Sequence, residues 1–326
     1  MRPIYRRALW FSIVVLVIYL IPTLFRFSLI HFDREPEQFP VTVDPRHKLI
    51  VESDKVNKQL AAPGSPLGAA VLGAGHVFGS VFQKIAETIL ELPFYESLSS
   101  ANERIITITP GLRKEQVASL FGKSLGWTPA EQKSFLLENL DATSTISEGF
   151  YVPGVYMASR GASPKVVKDL VIQRFEQEVL SHYGTTTQEI VPLDQALTVA
   201  SLIEKETLDN SDMRLVSGII WNRLFARMNL QIDSTLQYAK APRTSTWWPR
   251  VVPADKYITS PYNTYAHEGL PPTPIANPSV AAILAALNPL KTSCMFYFND
   301  AKGNIVCTNT YKEHVAALKQ YYGKGK

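Results

Sequence analysis

Two carboxylates, Glu204 and Glu206, close the stretch Leu193–Thr207, LDQALTVASLIEKET. At about 100° per residue, Ala196, Leu197, Val199, Ala200, Leu202 and Ile203 fill one broad apolar arc, and Asp194, Gln195, Thr198, Ser201 and Lys205 take the rest. An arc that wide predicts a helix covered by other elements over most of its surface. Glu204 points into the arc and Glu206 lies on its border, on the side of Leu202. Burial disfavours the charged form of a carboxyl and raises its pKa, which suits a general acid working near neutral pH. The same pattern also reads as a buried salt bridge to Lys205, Arg214 or Arg223, the commoner use of a buried carboxylate. The helix alone leaves both readings open.

The residues that follow narrow the choice. Arg214–Leu224 contains Asn222-Arg223-Leu224, and Met228–Tyr238 contains Leu230-Gln231-Ile232-Asp233-Ser234-Thr235. Later come Ser260-Pro-Tyr-Asn-Thr-Tyr265, Gly269-Leu-Pro-Pro-Thr-Pro-Ile-Ala-Asn-Pro278 and Ala285-Ala-Leu-Asn-Pro289. This ordered set resembles the endolytic murein transglycosylase (YceG-like) family, whose members carry an EKET-type helix end followed by the same motifs. The resemblance runs roughly from Glu103 to His314 and is close from Leu197 onward. Motifs in a fixed order are far more specific than any one of them.

The resemblance implies a lyase that cleaves peptidoglycan glycan strands internally and leaves 1,6-anhydro ends. It also implies that a single Glu first protonates the glycosidic oxygen and then deprotonates the sugar's 6-hydroxyl. In the family that Glu is followed by Ser or Thr, which selects Glu206, before Thr207, although helical geometry alone would name Glu204. Glu204, Asn222 and Arg223 are then supporting residues, Arg223 as a helix-end group and salt-bridge partner of Glu204 or Asp233. Gln231 and Asp233 alternate along a segment read as extended; with Tyr262, Asn263, Thr264 and Tyr265 they offer hydroxyl, amide and carboxylate groups for substrate binding. Ser234 stands where the family usually has Pro, a departure bearing on backbone rigidity, and Gly154 stands where it usually has Asp. The other function class is a catalytically silent, glycan-binding scaffold of the wall synthesis machinery.

The elements that must position these residues are readable in outline. Arg104–Thr109 alternates as a strand, Pro110-Gly111 turns, and Arg113–Leu125 reads as an amphipathic helix, a unit resembling the LysM-like module of the family. Thr128 and Glu131 form a capping-box pattern. Ser163-Pro164 opens a helix to about Tyr183, followed by a short linker; Met213–Met228 and Pro278–Leu287 are further helices. Trp247 and Trp248 sit in a loop-like stretch, as a sugar-stacking rim or as buried anchors. A hairpin, Cys294–Phe298 with Asn304–Thr308, precedes a last helix, Lys312–Tyr322. Its cysteines are nearly symmetric about the centre between Asp300 and Ala301, so a bridge and two free thiols both remain open.

Ahead of all this, Arg2, Arg6 and Arg7 precede an uncharged run, Ala8–Phe25, just long enough at about 1.5 Å per residue to cross about 30 Å of hydrocarbon. Bulky Ile21–Phe25 offers no small-x-small cleavage site, so a single-pass anchor with a cytoplasmic N-terminus is expected, placing the remainder outside the inner membrane. Gln59–Gln83 carries no formal charge but is broken by glycines and prolines; it reads as a soluble or membrane-surface segment continuing into a helix Val77–Leu92, with a second span as the alternative. Val41–Val51 can supply a strand or two.

The expected architecture is therefore α+β: a cytoplasmic tail and transmembrane anchor (1–28), a poorly readable linker (29–100), a LysM-like module (101–147) and a YceG-like catalytic domain (148–326). In a chain of 326 residues, a net charge of +4 and 19% charged residues give no basic block for nucleic acid. Two cysteines lack metal-site spacing, so neither metal nor cofactor is expected. The expected partners are peptidoglycan strands, the membrane and peptidoglycan synthases.

Overall fold

A computed structural model describes residues 37–61, 103–137, 147–207, 210–241 and 246–323. The anchor run Ala8–Phe25, the helix Val77–Leu92 and nearly all of Gln59–Gln83 lie outside these. Among the described residues no helix is long and apolar enough to cross a membrane. They form a mixed α/β arrangement in which three antiparallel strand pairs are set among helices.

Near the start, β1 (Val43–Asp44) pairs with β2 (Leu49–Ile50) and helix α1 (Asp54–Ala61) follows. The strand pair was readable; the short, polar α1 was not. Next, β3 (Glu103–Ile108), α2 (Lys114–Leu125), α3 (Pro129–Leu137) and β4 (Gly154–Ser159) make a strand–helix–helix–strand unit. Alternation drives it: Ile106 and Ile108 face inward with Tyr156 and Ala158, onto Phe121 and Phe135, while Ile105, Val155 and Met157 face out. Thr128 and Glu131 make the reciprocal capping bonds that their spacing predicts. The strand paired with β3 comes from 154–159, beyond the division after residue 147, so the pairing runs across that division.

Helix α4 (Pro164–Glu178) ends in a 3-10 turn, Leu180–His182. The stretch read as a linker is instead helix α5 (Thr185–Ile190), one polar turn and a half with no apolar periodicity to announce it. Then come α6 (Leu193–Glu206), α7 (Met213–Phe225) and α8 (Asp233–Lys240). The extended reading of Gln231–Asp233 is corrected here. Leu230 and Ile232 are buried and Gln231 and Asp233 exposed, as alternation predicts, but Gln231 has φ +54° and Asp233 begins a helix.

The main core is α6 laid against α9 (Val280–Leu287), with α7 beside them. From Ala196 to Ile203, and again from Ala281 to Leu287, every residue is buried. Small residues let the helices approach, and Trp221 of α7 donates its indole N–H to the Ala286 carbonyl at 2.9 Å. Strands β5 (Phe296–Asn299) and β6 (Ile305–Thr308) form the hairpin, and α10 (Tyr311–Tyr322) closes the chain. Cys294 and Cys307 are bridged, with Cα atoms 5.8 Å apart. The register differs from the symmetric expectation: Cys307 lies opposite Tyr297, and the bridge reaches back to a residue preceding β5.

The β3–β4 unit is joined to the main core through Asn277. Its side chain accepts from the Gly149 and Tyr151 amides and donates to the Leu112 carbonyl and to Glu148, while its backbone pairs with Gly111 and Leu112. Glu148 also accepts the Lys114 amide at 2.8 Å, at the start of α2. Burial pushes the Glu148 carboxyl up to about 8.

Two expectations follow. A Cβ on Gly218 of α7 would stand 2.2 Å from the Leu290 carbonyl oxygen, so Gly218→Ala should cost about 1–3 kcal/mol despite Ala's better helix propensity; an unchanged denaturant midpoint would show that α7 can back away freely. For Glu148, the folded chain holds a proton that the unfolded chain releases near pH 4.3. The stability this gives is complete at low pH and lost as pH rises towards about 8. Glu148→Gln cannot ionise, so its melting temperature relative to the parent should climb from pH 5 to pH 8. A flat difference would place the retained proton elsewhere.

Candidate active site

The last turn of α6 sends three neighbouring side chains to three destinations. Helix α6 stops because Thr207 turns extended while its amide and hydroxyl both bond back to the Ile203 carbonyl. Glu204 accepts the amide and hydroxyl of Ser279, at 3.0 and 2.7 Å, at the N-cap of α9. A carboxylate there complements the helix N-terminus. Lys205 lies over the Trp248 ring, 3.9 Å from its centroid. Arg113, at the start of α2, approaches the same ring at 4.7 Å and the Tyr238 ring at 4.1 Å.

Glu206 turns the other way, towards α8 and the hairpin. Its Oε1 accepts the Ser234 hydroxyl at 2.9 Å and its Oε2 accepts the Tyr297 hydroxyl at 2.8 Å. The residue is half-buried, with both carboxyl oxygens engaged by hydroxyls. Burial raises its pKa; the Tyr297 and Ser234 hydroxyls and the Ser234 amide work against that, and the neighbouring Asp233 charge adds to it. Tyr297 is itself held well above the usual phenol range, first by burial and then by Glu206. The arrangement is one carboxyl whose pKa burial raises, with a hydroxyl donor on each oxygen.

Among the described residues, neither Glu204 nor Glu206 forms an ion pair with Lys205, Arg214 or Arg223. Arg223 gives its guanidinium to the carbonyls of Met295, Asn229 and Leu230 and, at 3.4 Å, to the Gln231 side chain. It ties the end of α7 to β5 and to the turn before α8, and pairs with neither Glu204 nor Asp233. Arg214 bonds the Asn288 carbonyl and Asn57, and Lys205 stacks on Trp248. Asn222 donates to the carbonyls of Thr292 and Cys294, just ahead of the hairpin. Asn222 and Arg223 therefore support the site by holding the segments around it.

The proposed substrate-binding residues divide. Exposed Asp233 accepts the Tyr265 hydroxyl at 2.7 Å, and both stand beside Glu206. Gln231 is also exposed, on the same turn. Tyr262 lies apart, its ring 4.7 Å from Tyr238 and its hydroxyl on Thr273. Asn263 and Thr264 are buried and already engaged. Asn263 donates to the carbonyls of Lys256 and Ile258, while Thr264 bonds the Ile232 amide and the Thr235 hydroxyl. They shape the loop rather than face a ligand.

Sequence reading missed Tyr297 altogether, since one tyrosine in a hairpin carries no motif. It read Ser234 as a matter of backbone rigidity, whereas the structure places its hydroxyl on Glu206. Trp248 is half-buried beneath two cations and Trp247 is exposed.

An endolytic murein transglycosylase of Bacillus subtilis is 34% identical over 178 residues, covering 53% of this chain and 48% of that protein. One from Streptococcus pneumoniae is 27% identical over 240 residues, covering 72% of this chain and 42% of that protein. The chain thus spans about half or less of the length of these relatives. A crystal structure of a YceG-like protein from Listeria monocytogenes shares the fold, with a TM-score of 0.58 at 23% identity over 65% of this chain and 75% of that one. The model of the YceG-like family matches residues 83–320, most of the sequence, and the chain belongs to that family.

Proposed function

We propose that this chain is an endolytic peptidoglycan lytic transglycosylase with Glu206 as its acid and base. The observation that carries this reading is the Glu206 carboxyl at the end of α6, held by the Ser234 and Tyr297 hydroxyls on its two oxygens, with its pKa raised by burial. In the proposed reaction Glu206 gives its proton to the glycosidic oxygen as the bond from that oxygen to the anomeric carbon breaks. The resulting carboxylate takes the proton of the same sugar's 6-hydroxyl, whose oxygen bonds to the anomeric carbon. The product end is 1,6-anhydro-N-acetylmuramic acid, no water is consumed, and intramolecular attack gains from proximity. Asp233, Tyr265 and Gln231, exposed or half-buried around the acid, are suited to sugar hydroxyls and N-acetyl groups. Cutting nascent strands this way would end their elongation beside the synthases that make them.

The proposal extends to organisation. The β3–α2–α3–β4 unit has the strand–helix–helix–strand order of a LysM-like glycan-binding module, here followed by the catalytic region. The hydrophobic run Ala8–Phe25 supports a single-pass anchor in the inner membrane with the catalytic region outside. Reporter fusions after Ser28, Ser100 and Lys326 should all behave as exported. A cytoplasmic signal from the last two would put the acid on the wrong side of the membrane from its substrate.

Glu206→Gln keeps size and hydrogen-bonding capacity, so the variant should melt near the parent while release of anhydro-ended fragments from purified peptidoglycan falls about 10²–10⁴-fold. Glu204→Gln weakens the contact with Ser279 and should lower stability by about 1 kcal/mol with turnover per folded molecule little changed. If Glu206→Gln releases fragments normally and folded Glu204→Gln releases none, the acid is Glu204. If neither change matters and the parent binds glycan without cutting it, the protein is a silent scaffold.

A further inference from the structure

The two hydroxyls on Glu206 come from different elements and differ in chemistry. Tyr297 is held from the hairpin: it lies opposite Cys307 in the β5–β6 ladder, and Cys307 is bridged to Cys294. Arg223, which grips the Met295 carbonyl and stacks on Phe296, fixes the same strand from the α7 side. Ser234 sits in the first turn of α8, where its hydroxyl can rotate about a single bond. A phenol is a good donor and a poor acceptor because its oxygen lone pair is shared with the ring; a serine hydroxyl donates and accepts with similar ease. A carboxyl that alternates between acid and base needs both kinds of partner. As a carboxylate it accepts at both oxygens, and as an acid one oxygen must become a donor.

We propose that Tyr297 is a positioning residue for Glu206, a permanent donor that holds Oε2 in both protonation states and thereby assigns the transferable proton to Oε1, beside the Ser234 hydroxyl. When Oε1 is protonated, Ser234 rotates to accept from it or releases it to the substrate; when the proton has gone, Ser234 turns back to donate. Tyr297 does not turn. Burial keeps its phenol protonated well beyond neutral pH, so its donor role is never lost. The charged and titratable groups facing this pair are Asp233 from α8, Lys205 from α6, and, on the Tyr297 side, Arg223 and Tyr265. Of these only Asp233 adds its own charge against ionisation of Glu206. This inference rests on the reading of Glu206 as the acid.

Tyr297→Phe removes one hydroxyl and leaves the ring. A hydrogen bond to the charged form holds a pKa down, so its loss should move the alkaline limb of kcat/KM up by about one to two pH units. The rate at the new optimum should fall at least tenfold through loss of orientation. Ser234→Ala loses a donor to the carboxylate and an acceptor from the acid together, and should move the limb by less than half as much. The carboxyl 13C shift of Glu206, titrated in folded protein without substrate, should show the same order, and thermal unfolding should show both variants folded. A Tyr297→Phe enzyme that slows without any movement of the limb or of the 13C titration overturns the proposal, because a purely structural tyrosine would behave that way. So does a larger movement for Ser234→Ala than for Tyr297→Phe. If Glu206→Gln stays active, the acid has been misassigned; the 13C titration then still reports whether Tyr297 holds this carboxyl.

Discussion

Burying α6 against α9 is the constraint from which the site follows. Neither helix leaves a polar face exposed over its central turns, so the interior takes α6 from Ala196 to Ile203. Apolar burial is non-directional and says only that these surfaces meet. Direction comes from the polar residues at the end of the buried stretch, which must find partners as the chain leaves the interior. Glu204 finds the start of α9, and Glu206 finds Ser234 and Tyr297. Two carboxylates two residues apart thus acquire opposite environments. One serves a helix terminus and the other is half-buried between the hydroxyls of a helix and a hairpin.

That division explains what the sequence could and could not convey. Long apolar periodicities announce themselves, and α2, α4, α6, α7 and α9 were legible within a few residues. The α5 helix was not, because six polar-rich residues carry no period, nor was α1. Residues 230–233 show the limit of alternation as evidence. Buried and exposed positions alternate there as in a strand, yet the backbone runs through a left-handed Gln231 into a helix N-terminus. The pattern reports which side chains are covered and not the dihedral angles that cover them.

At the site the resemblance pointed to Glu206, and helical geometry alone would have chosen its neighbour. What no local pattern could supply was the partner from across the fold. Tyr297 is 91 residues from Glu206. Asn263 and Thr264 err in the opposite sense. Polar side chains in a dense motif suggest a ligand, but here they satisfy the backbone of a loop that has no regular hydrogen-bonding ladder of its own. Arg223 does the same for the turn before α8, which is why no carboxylate is needed to neutralise it. Asp233 and Tyr265 lie beside Glu206, and for the other polar residues the partners were the missing information.

The pairing of β3 with β4 bears on how the chain comes to fold. Fifty residues of sequence separate Ile106 from its cross-strand neighbour Tyr156, and both helices of the unit lie between them. As the chain leaves the ribosome, α2 and α3 can form early, but β3 stays an open edge until 154–159 arrive. Closing that gap costs loop entropy before any ladder bond repays it. Because Glu148 and Gly149 precede β4 and bond Asn277, the same segment that completes the small sheet also docks it on the core. Asn277 and the core helices α6 and α9 leave the ribosome only after 154–159, so the small sheet can close first and dock when they arrive, through groups that already flank its second strand.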